Sequence, residues 1–97
     1  MLTGPDIPAH EIEAMVREHL QQGRLPRLIN PYVKAGYGGV GANCEVCGRE
    51  IQKHDAGYEV PNVNGPPFLF HLRCHHAWQA ECVRLQKEAV TSRAGPT

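Results

Sequence analysis

The strongest constraint on this chain is the spacing of three cysteines and one histidine. Cys44-Glu-Val-Cys47 is followed, after the stretch from Gly48 to Phe70, by His71-Leu-Arg-Cys74. Two residues between cysteines allow a tight turn to aim both sulfurs at one point, and Gly48 directly after Cys47 provides the backbone freedom such a turn needs. His71 and Cys74 stand three apart, a spacing that puts both on one face at a helix start. There the positive end of the helix dipole favours a thiolate. Three soft sulfurs and an imidazole nitrogen complete a tetrahedron around Zn²⁺ and leave no open position for water. The spacing therefore predicts one structural zinc ion held by Cys44, Cys47, His71 and Cys74.

Other readings of the same residues explain less. The cysteines could be small buried hydrophobes and His71 an ordinary strand-end residue. A redox Cys-x-x-Cys, as in thioredoxin-like proteins, stands at a helix N-terminus after a strand, whereas here the helix follows the other pair. His75, four residues after His71, could replace it as a ligand, while His76 should project elsewhere from the helix. Cys82 lies eight residues beyond Cys74, roughly 12 Å along a helix. It is too far to share a tetrahedron and is expected in the core.

A staple is what a chain of this size needs. Its 97 residues suffice for one domain, and with 10 Gly, 8 Pro and only six aromatic residues few large side chains can fill a core. Met1 to Pro8 has no basic region followed by an apolar run, and no segment approaches the roughly 20 apolar residues of a membrane span. The expectation is a cytoplasmic protein without membrane contact, where reducing conditions disfavour disulfides. Ten basic residues balance ten acidic ones, so no overall field attracts phosphate groups, and a zinc-loaded site would leave the chain slightly negative.

Ile12, Met15, Val16 and Leu20 mark the apolar face of a helix between Asp6 and Gln22, with Thr3 or Asp6 as cap, Gly23 as terminator and Pro26 beyond. His19 falls on that face and is expected simply to pack there. From Arg24 to Asn43 no periodicity persists. The run Ala35 to Asn43 is glycine-rich but lacks the Gly-Lys-Ser/Thr ending and following helix of a phosphate loop. Alternation predicts strands over Ala56–Val60 and Phe68–His71 joined by a hairpin loop at 62–67. A last helix from Leu72 to Val90 should turn Trp78, Cys82, Leu85 and Ala89 to the core. The organisation expected is an N-terminal amphipathic helix and Pro-containing connector over 1–34, a glycine-rich linker over 35–43, a zinc-binding domain over 44–90 and a flexible tail over 91–97. Its class is a small α+β, zinc-stabilised domain.

Cys44-x-x-Cys47-Gly48, Ile51, Tyr58-Glu59-Val60, Phe70-His71-x-x-Cys74 and Trp78 together resemble a single treble-clef zinc finger. The first half of a LIM domain and the PARP-type finger are nearest in pattern. No second cysteine pair follows Cys74 as in a LIM domain, and PARP-type fingers carry a longer insertion and more basic surfaces. The set Leu25-Pro26, Gly36 to Gly41, Cys44 to Cys47, Tyr58-Glu59 and Phe70 to Trp78 is also similar to small bacterial proteins that bring no established activity. The resemblance implies zinc and the order knuckle, hairpin, helix.

For function, the expectation is a protein-interaction or adaptor module with a protein partner. The alternative is a nucleic-acid-binding finger using Arg24, Arg27, Lys34, Arg49, Lys53 and Arg73, with Glu45, Glu50, Asp55 and Glu59 interspersed to offset them. An enzyme is not expected. No nucleophile, base or open metal site stands out, and His75 and His76, adjacent on a helix, point roughly 100° apart.

Overall fold

The computed structural model describes residues 7–37, 42–52 and 55–93. Helix α1 spans Ala9–Gln21 and buries Ile12, Val16 and Leu20 of the expected stripe, with Met15 only partly buried against them. It starts later than Asp6. Pro8 occupies the N-cap with extended backbone (ψ 144°) and no side-chain cap, its carbonyl accepting the Glu11 and Ile12 N–H groups at 3.0 and 3.2 Å. Thr3 and Asp6, the caps expected from sequence, lie outside the described residues. At the other end Gly23 takes φ +77°. Gly23 N–H then donates to Leu20 and Arg24 N–H to His19, the paired bonds of a left-handed helix stop.

Strands β1 (Lys34–Tyr37), β2 (Ala56–Val60) and β3 (Phe68–His71) form an antiparallel sheet in that order. The hairpin strands have the predicted bounds. Val60 pairs with Phe68 and Tyr58 with Phe70, so the alternating apolar residues of both strands lie on one face. Asn62 organises the loop between them: its Oδ1 accepts the Asn64 N–H at 3.1 Å, and its Nδ2 donates to the Pro66 carbonyl at 3.3 Å.

Strand β1 lies inside the segment read from sequence as a connector. Lys34-Ala35-Gly36-Tyr37 has no alternation to betray a strand. It is extended because the edge of β2 offers unpaired backbone groups, and the register sets Lys34 opposite Glu59. Residues 38–41 of the glycine-rich run lie outside the described residues.

Helix α2, Leu72–Arg93, follows β3 without an intervening loop and packs against α1, β2 and β3. Its inner face carries Trp78 and Cys82 fully into the core, Leu85 partly, and Ala89 not at all. The predicted core stripe therefore ends one turn early, because the helix runs on past the elements that cover it. It also continues through 91–93, residues expected in a flexible tail, since nothing there breaks a helix.

One apolar cluster joins both ends of the chain, from Ile7, Ile12, Val16, Leu20 and Leu25 to Val46, Ile51, Val60, Phe70 and Trp78. At its centre the Trp78 and Phe70 rings stack with centroids 4.8 Å apart and planes at 13°. Among the described residues no helix is long and apolar enough to cross a membrane.

Candidate metal centre

The Cys44-to-Cys47 turn is the tip of a small hairpin of its own. Asn43 and Glu50 form an antiparallel bridge, Ile51 N–H donates to Ala42 at 2.8 Å, and Cys44 N–H donates to Arg49 at 2.9 Å. Gly48 closes the turn at φ +75°, its N–H donating to the Cys44 carbonyl at 3.0 Å. Inside the turn Val46 N–H donates to Cys44 Sγ at 3.4 Å. Glu45 N–H donates to the Leu69 carbonyl at 2.8 Å and so fixes the knuckle against β3, two residues before His71.

The other pair comes from the junction of strand and helix. His71 is the last residue of β3 and is 1% exposed, and Cys74 lies fully buried in the first turn of α2. Gly57 of β2 pairs with His71 across the sheet. A Cβ at Gly57 would meet the Phe70 carbonyl oxygen at 3.1 Å and Ile51 Cγ2 at 3.7 Å, so the absence of a side chain lets the knuckle hairpin close over the strand pair.

These elements bring the ligand atoms of Cys44, Cys47, His71 and Cys74 within 4.8 Å of one another. Cys47 Sγ lies 3.4 Å from His71 Nδ1, so Nδ1 is the nitrogen that faces the sulfurs. All four cysteines, Cys82 included, are free thiols. Crowding splits the acidities within the cluster. Hydrogen bonds from Cys44 and Cys74 pull Cys47 strongly toward thiolate, while hydrogen bonding to Cys44 and Cys47, together with burial, pushes Cys74 up, because a second negative charge there would face the first. Three sulfurs can all ionise in so small and buried a volume only around a cation. A set of three thiols and an imidazole at this spacing fits a divalent ion and is compatible with zinc.

The remaining candidates fall outside the cluster. His75 is boxed instead by Tyr58, Phe70 and Trp78, at ring distances of 4.6, 5.6 and 5.6 Å in edge-on contacts. Burial lowers its pKa to about 4, keeping the ring neutral, and neither nitrogen has a hydrogen-bond partner among the described residues. His76 is exposed. Cys82 is a core residue as expected, 2% exposed, with its sulfur 3.9 Å from the Pro26 carbonyl and its pKa raised by burial.

Two residues next to the site had no sequence signal. His19, expected only to pack, bonds through Nε2 to the Val46 carbonyl at 2.9 Å and ties α1 to the knuckle. Asp55 is buried with Oδ2 3.8 Å from His71 Nε2, on the far side of the ring from the sulfurs. Both partnerships join segments far apart in the chain, where neither periodicity nor motif spacing carries information. Of the basic residues considered for nucleic acid, Arg73 donates to the Ile7 carbonyl at 2.7 Å and Lys53 lies outside the described residues. Comparison of the chain with protein-family models, curated proteins and solved structures gives no match.

Proposed function

We propose that this chain is a structural zinc-binding module of treble-clef type that serves as a protein-interaction or adaptor domain and is not an enzyme. The observation that carries the reading is the convergence of four ligand atoms, from a knuckle and from a strand-helix junction, within 4.8 Å. The treble-clef assignment is supported by the order of parts: a turn supplying two sulfurs, a β-hairpin, then a helix whose first turn supplies the last ligand. Four protein ligands saturate a tetrahedral ion, which favours a structural over a catalytic role. A protein partner is favoured by apolar side chains left outside the core along distal α2. Ile29, Val83 and Val90 are 38, 37 and 54% exposed and line a shallow groove with Gln86 and Lys87.

Elemental analysis of protein purified without added metal, with circular dichroism before and after a strong chelator, tests the zinc reading. One zinc per chain and loss of structure on chelation are expected, and a metal-free protein insensitive to chelation would overturn it. Anisotropy titrations with single- and double-stranded oligonucleotides test the partner class. Binding that weakens steeply with salt would move the protein to the nucleic-acid-binding class.

A further inference from the structure

Asp55 is a carboxylate where a carboxylate is costly. It is 7% exposed, and a buried carboxylate must be compensated by donors. Its Oδ2 accepts one backbone N–H, from Gln52 at 2.9 Å, while its own N–H donates to the Gln52 carbonyl at 3.0 Å. Among the described residues the one ionisable base within ion-pair distance is His71, whose Nε2 lies 3.8 Å from the same oxygen. The other ring nitrogen, Nδ1, faces Cys47. The imidazole thus stands between a carboxylate on one side and the sulfur cluster on the other. A separation of 3.8 Å exceeds a hydrogen bond, yet in a buried setting it leaves the carboxylate's field on the ring largely unscreened.

We propose that Asp55 is the positioning residue of the metal-binding histidine: its carboxylate selects the tautomer of His71 protonated at Nε2, so that the Nδ1 lone pair is committed to a divalent, thiophilic ion such as zinc. This rests on the zinc reading above. Neutral imidazole has one protonated and one bare nitrogen, and only the bare one can ligate. With the proton held toward Asp55, the bare nitrogen is the one aimed at Cys47, and the nearby negative charge makes it a stronger donor. Asp55 touches neither sulfur nor ion and acts through His71.

The test is a double-mutant cycle on zinc affinity, measured by competition with a chromophoric chelator in the full-length chain, using wild type, Asp55→Asn, His71→Cys and the double variant. Asparagine keeps an acceptor for the Gln52 N–H and removes the charge. Asp55→Asn is expected to weaken zinc binding about 10- to 100-fold in the wild-type background. In the His71→Cys background a fourth thiolate replaces the imidazole and there is no tautomer to select, so the same substitution should change affinity no more than about twofold. An equal loss in both backgrounds would mean that Asp55 only supports the Gln52 turn, and would overturn the proposal. A second measurement needs no variant. In ¹⁵N-histidine, ¹¹³Cd-loaded wild type, metal coupling is expected at His71 Nδ1 with a proton retained on Nε2, and coupling at Nε2 would overturn it. Wild type that binds neither zinc nor cadmium would defeat the metal reading itself, which separates that failure from failure of the Asp55 role alone.

Discussion

Trp78 has two tasks in this molecule. Its ring stacks on Phe70, the residue before the candidate ligand His71, and its indole N–H donates to the Pro26 carbonyl at 3.0 Å. The first places the apolar centre of α2 against β3, and the second pins the segment leaving α1. Trp78→Ala should therefore cost the metal-loaded protein about 3 to 5 kcal/mol in urea unfolding while the folded fraction keeps its zinc. A neutral outcome would mean that the core does not centre on this ring. The cysteines divide in the same way. Cys74→Ala should abolish both metal uptake and cooperative unfolding, whereas Cys82→Ala, which trims a small buried group beside Pro26, should cost about 1 to 3 kcal/mol and leave zinc stoichiometry at one. Equal damage from the two would contradict the separation of ligand from core sulfur.

At the scale of elements, the strand pair and the knuckle meet where Gly57 faces His71. Gly57→Val would force a branched side chain toward the Phe70 carbonyl and Ile51, both fixed by their own hydrogen bonds and packing. The expected result is a loss of about 1 to 3 kcal/mol together with faster zinc release, read by stopped-flow chelation. The two helices are joined by Glu81 of α2, 7% exposed, which pairs with Arg84 on its own helix and with Arg17 of α1 at 3.6 Å. Hydrogen bonding and charge from Arg84, with a contribution from Arg17, hold its carboxyl below the ordinary glutamate range despite burial. A depressed carboxyl stabilises the fold above its unfolded pKa, and that contribution disappears as pH falls through the folded value. Wild type should exceed Glu81→Gln by about 1 kcal/mol or less at pH 7, with the gap closing in acid below the glutamate range, in unfolding curves measured with excess zinc.

For the whole molecule, metal and fold are expected to be one equilibrium. The apolar cluster depends on the knuckle being held against β3, since Val46 inside the ligand turn and Ile51 just after it both belong to the cluster. Zinc binding in comparable small sites contributes about 10 to 16 kcal/mol at neutral pH, larger than the net stability of a typical domain. Chelation should therefore unfold the hairpin and α2 together, with near-coincident loss of tryptophan fluorescence signal and helical circular dichroism. A chelated protein that keeps its tryptophan environment would show that the apolar cluster stands without the ion. The hydrogen bond from His19 to Val46 extends this coupling to α1, so the N-terminal helix should lose protection in the same step.

Local chemistry made much of this protein legible in its residues. The four candidate ligands, the strands Ala56–Val60 and Phe68–His71, the apolar stripe of α1 and the Gly23 stop all follow from spacing, alternation and backbone preference within a few residues of one another. What remained hidden involves distant partners. β1 is a strand because β2 lies beside it, and the core stripe of α2 ends at Leu85 because, among the described residues, no element covers the next turn. His75 was a rival ligand by spacing until the fold enclosed it among aromatic rings. His19 and Asp55 acquire their places beside the candidate ligands only when α1 and the segment before β2 pack against them. The sequence alone determined which residues are candidates to bind a metal, since that depends on residue type and short spacing. The tertiary structure decided which groups support those residues, because hydrogen bonds and buried charges act through space between segments whose separation along the chain carries no signal.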